Sequence, residues 1–303
     1  MSDTSDRSET LPSEEMSETS PPEELVMSLA TLSVDPFGLS FDELDSSLVA
    51  TAAAGYTGVS VWPFNLGMAG VDVPWLVDRL EELHLTHPVA EAAFGWLNPD
   101  RDAAAAEVSN LVSYATAVGG RELVAVTMEP TLPPMGEVAT RFRTLCRAAA
   151  DAGLGVSMEF LPWTGIANLA TAWEIIERAD CDNSGIMVDT WHWLRQPGGP
   201  DPDRLGRIPS GMLRVVQLCD APAEPPGGMD MATETMTARL LPGEGAVDFA
   251  EVIGIISDSG ASPIWFPEVF SSTLAQAGPQ IMASQVLAAT RSVLGRTQRR
   301  SGC

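Results

Sequence analysis

The chain has 303 residues, of which 45% are hydrophobic, enough for one large α/β domain or two smaller domains. Its formal net charge of −24 and pI of about 4.2 indicate a surface that repels nucleic acid and anionic membranes, so we expect neither as a partner. No apolar run reaches the roughly 18 residues of a membrane span, and the acidic N-terminus does not resemble a signal peptide.

Both ends of the chain are polar. Residues 1–24 contain eight acids and one arginine, a formal charge of −7, with almost nothing apolar, which predicts a disordered acidic tail. Residues 296–303 are short and basic, which predicts a frayed C-terminal tail. We therefore expect a single catalytic domain over residues 25–295.

The cysteines have no paired spacing. They stand at Cys146, Cys181, Cys219 and Cys303, without a CxxC motif. This pattern favours reduced thiols in a cytoplasmic protein. The sequence leaves open whether the protein is a homo-oligomer.

Between the tails, apolar strand candidates alternate with helical patterns. The predicted strands, in chain order, are VMSLATLSV (26–34), GVSVW (58–62), PVAEAAF (88–94), ELVAVTM (122–128), GVSMEF (155–160), GIMVD (185–189), RVVQLCD (214–220) and PIWFPEV (263–269). Apolar residues at three- and four-residue spacing predict helices between most of them, and Gly55 is placed to end the first helix.

These elements predict an α/β fold, a (β/α)₈ TIM barrel. The strands are β-branched and hardly alternate in polarity, as parallel strands covered on both faces do. Eight strand–helix units in about 270 residues match the size of this barrel. A doubly wound sheet is the alternative, but the segment after the first strand reads DPFGLS and has no GxGxxG turn.

Polar side chains stand at or near the ends of the fifth to eighth predicted strands. They are Glu159, Asp189, Gln217 and Glu268. Because the C-terminal strand ends of a barrel share one face, these four side chains should converge there. Three carboxylates need a counter-charge in a buried site, and all-oxygen ligands suit hard divalent ions. We therefore predict one metal ion, Mn²⁺ or Mg²⁺, with Co²⁺ as an alternative.

These motifs resemble the xylose isomerase-like TIM-barrel superfamily, the sugar phosphate isomerase/epimerase group, over residues 25–295. The most specific pieces are MEF (158–160), VDTWHW (188–193), VVQLCDA (215–221), RLLPGEG (239–245) and PEVFS (267–271). The chain is similar to ketose 3-epimerases, inosose dehydratases and 3-dehydroshikimate dehydratases.

The resemblance implies roles for individual residues. It implies that Glu159, Asp189, Gln217 and Glu268 bind the metal. Glu159 and Glu268 come from the fifth and eighth strands and can approach a substrate from different sides, so we predict that they serve as catalytic bases. His192 would contact substrate or move a proton, and Arg239 would contact substrate oxygens. Ketose epimerases carry histidine where this chain has Gln217, whereas dehydroshikimate dehydratases resemble it in having glutamine.

Several other residues are candidates for substrate-binding or structural roles. Trp62 and Trp191 are predicted to form part of an apolar, substrate-binding wall. His84 and His87 precede the third strand and are expected on the opposite, stabilising face of the barrel. The role of Glu91, substrate-facing or structural, stays open. Residues 222–236 form a long loop, either a lid over the site or a disordered insertion.

The predicted function is a divalent-metal-dependent isomerase or epimerase. It would act on a small polyhydroxylated carbonyl compound by removing a proton next to the carbonyl, through an enediolate. A metal-dependent dehydratase of the 3-dehydroshikimate or inosose type is the alternative, although the early strands lack an arginine pair for a substrate carboxylate. A non-catalytic ligand-binding barrel and a phosphodiesterase rank lower, the latter because the chain has three histidines and a strongly acidic surface.

Overall fold

The computed structural model describes the backbone of residues 24–301 and the side chains of residues 24–295. The β-strands are β1 (Val26–Ser28), β2 (Gly58–Ser60), β3 (Val89–Ala93), β4 (Glu122–Ala125), β5 (Gly155–Glu159), β6 (Ser184–Asp189), β7 (Leu213–Leu218) and β8 (Ile264–Pro267). The α-helices are α1 (Phe41–Ala54), α2 (Pro63–Ala69), α3 (Val73–Leu83), α4 (Arg101–Ala117), α5 (Met135–Ala150), α6 (Leu169–Ala179), α7 (Thr190–Arg195), α8 (Pro202–Leu205), α9 (Met231–Thr237), α10 (Phe249–Ser259) and α11 (Pro279–Ser301).

The strands form a parallel barrel in sequence order. Strands β3 to β8 make one continuous sheet, and β1 pairs with β2. Two bridges join these sheets, one between Gly58 and Thr86 and one between Leu25 and Trp265. The backbone N–H of Trp265 donates to the carbonyl of Glu24 at 3.2 Å. The barrel therefore closes between β8 and β1, and the predicted TIM-barrel fold is confirmed.

Two apolar layers stabilise the barrel. The inner layer fills the space between the strands and consists of Val26, Val89, Val124, Val126, Leu161, Met187, Val215 and Phe266. A larger cluster lies between the strands and the surrounding helices, with Phe142, Ile175 and Val286 among its fully buried members. Strands covered on both faces explain why the sequence shows apolar runs rather than alternation.

Some element boundaries differ from the predicted ones. The first predicted strand, 26–34, is a strand only to Ser28 and continues as a 3-10 helix, Leu29–Leu32. Gly55 ends α1 as expected, with φ of 97°, a conformation that glycine adopts without strain. The predicted tail 1–24 lies outside the described residues except for Glu24, which contacts Arg121. Helix α11 extends into the predicted frayed stretch 296–303.

His87 is buried, accepts a hydrogen bond from the N–H of Val61 through Nε2 at 2.8 Å, and has a pKa lowered to about 4 by burial. Within the described chain Cys146, Cys181 and Cys219 are free thiols. None of the described helices combines the length and apolar character that a membrane span requires.

Asp220 supports the loop that follows β7. Its carboxylate is fully buried and accepts four backbone N–H groups, from Ala221 at 2.8 Å, Gly243 at 3.0 Å, Gly245 at 2.8 Å and Val247 at 3.0 Å. A side chain at Gly245 would collide with the Ala221 carbonyl, so the turn lies close against the β7 loop. Asp220 therefore fixes the segment that follows Arg239.

Replacing Asp220 with alanine should lower the free energy of unfolding by about 3 kcal/mol, because it leaves buried backbone donors without an acceptor. Chemical denaturation of the purified variant measures this change. Asp203→Ala, at an exposed aspartate of α8, should change stability by no more than about 0.5 kcal/mol. Equal stability of both variants would show that Asp220 does not support the loop.

Candidate active site

The barrel strands present one polar layer at their C-terminal ends. Side chains two residues apart on a strand share a face, so a polar residue two positions beyond an inner-layer apolar residue also points into the barrel. This spacing relates Val26 to Ser28, Val89 to Glu91, Met187 to Asp189, Val215 to Gln217 and Phe266 to Glu268. Glu159, the last residue of β5, joins the same layer. Glu159, Asp189, Gln217 and Glu268 therefore belong to one polar layer.

Asp189 links the end of β6 to the start of α7. Its Oδ1 accepts the backbone N–H of His192 at 2.8 Å and so caps the helix. Its Oδ2 accepts from Nη1 of Arg239 at 2.7 Å. Because this cap fixes the first turn of α7, the imidazole of His192 lies near the strand ends. Its Nε2 is 3.3 Å from Oε1 of Glu159 and 3.7 Å from Oδ2 of Asp189.

Arg239 is a buried cation within this layer. Its Nη1 donates to Asp189, to the Glu268 carbonyl at 3.1 Å and to Oε2 of Glu268 at 3.3 Å. Its other two nitrogens donate to the carbonyl and hydroxyl of Thr235, each at 2.8 Å. The second oxygen of Glu268 accepts from Ser28 at 3.0 Å. Arg239, predicted to contact substrate, thus also holds Asp189 and Glu268 in place.

Several groups could hold a metal ion. Ligand atoms of Glu159, Asp189 and His192 all lie within 4.8 Å of one another, and the three residues are buried. Gln217 donates through Nε2 to Glu91 at 3.2 Å, whereas its Oε1 is buried and has no partner among the described residues. An amide oxygen without a partner beside carboxylates is the donor that a hard cation requires. The donor set therefore fits a divalent metal ion.

The negative charge of the polar layer also favours a divalent metal ion. Glu91, Glu159, Asp189 and Glu268 are buried carboxyl groups that share Arg239 as their cation. Burial and the charge of Glu159 raise the pKa of Glu91 to about 8, and burial and the charge of Glu91 raise the pKa of Glu268 well above its ordinary value. Although burial opposes ionisation of Asp189, the charges of Arg239 and His192 lower its pKa. A divalent ion would offset this excess of negative charge.

The raised pKa values predict that metal-free protein loses stability as the pH rises. Burial also raises the pKa of Glu122 to about 7. Folded Glu91 and Glu122 hold protons that an unfolded chain, with ordinary values of 4.5, releases. Their contribution to the free energy of unfolding is complete below about pH 4.5. It decreases as the pH rises above that value and is lost above about pH 7 for Glu122 and pH 8 for Glu91. In EDTA, the melting temperature should fall by about 5 °C or more between pH 5 and pH 8.5.

Glu91→Gln should flatten this fall, because the amide does not titrate. Glu224→Gln, at an exposed residue of the loop after β7, should keep the wild-type profile. Scanning calorimetry across the pH range measures both variants. An unchanged slope in Glu91→Gln would show that this carboxyl group ionises freely in the folded protein.

A cavity of about 680 Å³ opens over the polar layer. Glu91, Glu159, His192, Arg239 and Glu268 contribute its polar lining, and the rest is largely apolar. Phe37, Trp62, Phe64 and Phe270 form an aromatic wall, with Trp62 5.5 Å from each of Phe37 and Phe64 and 5.9 Å from Phe270, between ring centroids. Trp62, one of the two predicted wall residues, therefore lines the cavity.

Trp191 differs from the predicted substrate contact. It is fully buried, and its ring packs edge-on against His192 at 5.3 Å and Trp163 at 6.1 Å. Trp163 lines the cavity and lies 5.4 Å from the ring of His192. Trp191 thus supports the histidine from behind, because successive residues of α7 point in directions about 100° apart.

The predicted lid segment, 222–236, contains α9 and covers one side of the cavity. Thr235 and Met236 line the cavity, and Glu234 is fully buried. Arg195 donates to Glu234 at 2.6 Å and to the carbonyl of Pro222 at 2.7 Å. The segment is therefore ordered and attached to α7, the helix that carries His192.

Several contacts of the site were not predicted from the sequence. Ser28 and Ser60 hold Glu268 and Glu91 through hydrogen bonds of 3.0 and 2.9 Å. The thiol of Cys219 lies 3.3 Å from Nη1 of Arg239. The two-residue spacing from Val26 and Val89 was the available signal for Ser28 and Glu91, whereas no local pattern marks Cys219.

Comparison with known proteins shows where the chain belongs. It is 31% identical over 156 residues to a 3-dehydroshikimate dehydratase of Pseudomonas aeruginosa, covering 50% of this chain and 24% of that protein. The chain thus spans about a quarter of that relative's length.

Solved structures share the fold. The IOLI protein with a bound zinc atom has a TM-score of 0.76, 18% identity, and coverage of 90% of this chain and 99% of its own. D-allulose 3-epimerase from Methylomonas sp. has a TM-score of 0.68, 19% identity, and coverage of 90% and 98%. The family described as xylose isomerase-like TIM barrel matches residues 48–290, and the chain belongs to that family.

Proposed function

We propose that the protein is a divalent-metal-dependent isomerase or epimerase that acts on a polyhydroxylated carbonyl compound. The observation that carries the proposal is the buried donor cluster of Glu159, Asp189 and His192 beside the unpartnered Oε1 of Gln217. Oxygen donors favour Mn²⁺ or Mg²⁺, and Co²⁺ is an alternative. The IOLI protein, a structure of the same fold, was solved with a bound zinc atom, so this fold can hold a divalent metal ion.

The two cavity-facing glutamates suit proton transfer next to a carbonyl. A bound divalent ion would polarise the carbonyl and stabilise the negative charge of an enediolate. Glu159 and Glu268 come from β5 and from the end of β8 and both line the cavity, so they can approach a substrate from different sides. One carboxylate removes the proton and the other returns it, which inverts the carbon, while return to the neighbouring carbon isomerises the substrate.

His192 can assist this transfer. Its Nε2 lies 3.3 Å from Oε1 of Glu159, within reach of a shared proton. A protonated imidazole there would donate to a substrate oxygen as the negative charge develops. Arg239 fixes the positions of two carboxylates of the site, because its Nη1 donates to both Asp189 and Glu268.

Dehydration is the second candidate. It shares the first proton removal and then expels a hydroxyl group from the next carbon, with His192 as the acid. Gln217 and the similarity to a 3-dehydroshikimate dehydratase support it. The cavity lacks a free cation for the carboxylate of such a substrate among its described lining residues, which is why we place it second.

The test begins with metal analysis of the purified protein, followed by incubation with keto-sugars and cyclic hydroxyketones in D₂O. An isomerase or epimerase should place deuterium on the carbon next to the carbonyl. A dehydratase should in addition generate enone absorbance. Metal binding together with turnover that shows neither exchange nor an enone would overturn both reactions. Ligand binding without turnover of any member of the set would indicate a non-catalytic barrel.

A further inference from the structure

The cavity is much larger and more apolar than a small sugar requires. Its volume of about 680 Å³ lies within the roughly 300–1,000 Å³ that drug-sized ligands occupy. The aromatic wall forms one side, and Phe94, Leu161 and Trp163 also line the cavity. These apolar surfaces gain free energy only from a ligand that covers them, so a polyol alone would leave them in contact with water.

The aromatic wall continues to the mouth of the cavity. Phe37 and Phe64, whose rings lie 6.1 Å apart and nearly parallel, are 56% and 45% exposed. Phe94 is 50% exposed. Exposed aromatic residues at the mouth of a cavity typically mark a ligand-binding surface. An apolar group bound at the wall would remove these rings from water.

Away from the proposed metal site, the cavity does not favour anions. All 17 basic residues of the chain are arginines, so the only cationic side chains that could pair with a carboxylate or phosphate are arginine and protonated histidine. Arg239 lines the cavity, but each of its three nitrogens already donates within the protein. One face of its guanidinium also covers the ring of Phe270 at 4.9 Å. No arginine with an uncommitted guanidinium appears among the described lining residues.

Acidic groups reinforce this selection. Glu91 lies on β3, across the layer from the metal-ligand candidates, where Ser60 and Gln217 hold its two oxygens. Glu107 also lines the cavity, and its Oε1 accepts the backbone N–H groups of Phe94 and Gly95. A ligand carboxylate between Glu91 and the aromatic wall would lose its water there and would find no cationic side chain to pair with.

We propose that the substrate is an uncharged molecule in which an aryl or similarly broad apolar group is attached to the hydroxylated carbonyl. The apolar group lies against the aromatic wall, and the oxygenated end reaches Glu159, His192 and Glu268. The oxygenated end rests on the proposed function, whereas the apolar group rests on the wall itself. The proposal separates this protein from dehydratases and epimerases whose substrates are anionic or wholly polar.

Three probes test the proposal by titration calorimetry on Mn²⁺-loaded protein. 2-Hydroxyacetophenone and hydroxyacetone share the hydroxyketone and differ in phenyl against methyl, whereas 3-dehydroshikimate adds a carboxylate. 2-Hydroxyacetophenone should bind at least about tenfold more tightly than hydroxyacetone, the gain expected from burying a phenyl ring. It should also bind more tightly than 3-dehydroshikimate. Equal binding of the first two probes, or tighter binding of the anion, would overturn the proposal.

Variants connect the preference to the wall. Trp62→Ala should lower the preference for 2-hydroxyacetophenone over hydroxyacetone, the ratio of their dissociation constants, by about tenfold. Met68→Ala is the matched control, because Met68 lies on α2 near Trp62 but is 61% exposed. If Trp62→Ala fails to fold, Phe64→Ala replaces it. A dimer-to-monomer change in Trp62→Ala, seen by sedimentation, would instead make the wall a contact between two copies and overturn the proposal.

The two proposals fail in different ways. Absence of bound metal and of deuterium exchange would count against the proposed function. The probe series is repeated in EDTA, because contacts with the wall need no metal. Loss of the phenyl preference in both titrations, with metal bound normally, would remove the inferred substrate class and leave the proposed function standing.

Discussion

Glu159→Gln should lose turnover by about 10⁴-fold or more and should weaken metal binding about 10- to 100-fold. The substitution keeps the shape of the side chain but removes both its charge and its ability to accept a proton. Loss of a general base costs about 10²–10⁴-fold, and the damaged metal site adds to that loss. Glu159 suits the test because it caps no helix and its Oε1 contacts Nε2 of His192 within the described part of the chain. The substitution should therefore disturb the fold little.

Metal content by plasma mass spectrometry and turnover of a substrate identified in the D₂O screen measure the two effects separately. Glu177→Gln, at an exposed glutamate of α6, should retain both within about twofold. Full metal content with wild-type turnover in Glu159→Gln would exclude Glu159 from the site. Full metal content with lost turnover would assign it the role of base alone.

The strand-end residues were predictable because the barrel constrains them. Parallel strands in sequence order place their carboxyl ends on one face, so Glu159, Asp189 and Glu268 needed only the right strand assignments to converge. The inner-layer spacing identifies Gln217 too, two residues beyond Val215. Local pattern and fold agree here, which is why sequence reasoning succeeds.

Other features of the site depend on contacts between distant segments. Arg239 reaches Asp189, 50 positions earlier, and Glu268, 29 positions later. No periodicity reports that such a cation already has its partners. The orientation of Trp191 likewise depends on where α7 starts, because one residue of shift would exchange its direction with that of His192. Glu91 lies two residues beyond the inner-layer Val89, but its strand is short and rich in alanine. The sequence therefore left both a substrate-facing and a structural role open.

The absence of an available cation also could not be derived from sequence. The chain carries arginines in many segments, and each could have faced the cavity. In the structure two of them pair with acids outside the polar layer. Arg195 pairs with Glu234, and Arg214 pairs with Glu122 at 3.2 Å, at the N-terminal ends of β7 and β4. Selection against anions is therefore a property of the folded site rather than of composition.

His192→Ala should lower turnover by about 10²–10⁴-fold while metal stays bound, because its imidazole is placed for proton transfer beside Glu159. The Asp189 cap fixes the backbone of His192, and Trp191 and Trp163 pack against its ring, so the position of the ring does not depend on substrate. His192→Gln keeps a hydrogen-bonding group but cannot carry a proton at neutral pH, so it should remain as slow as the alanine variant.

Turnover, metal content and deuterium exchange of the two His192 variants decide between three roles. Recovery in His192→Gln to within about tenfold of wild type would show that the imidazole orients substrate and does not transfer a proton. Metal loss in both variants would make His192 a ligand, as its distance from Glu159 and Asp189 also permits. His84→Asn is the control, because this exposed histidine ends α3 in a left-handed conformation that asparagine tolerates. Its turnover should match the wild type, since it lies at the opposite end of the strands from the cavity.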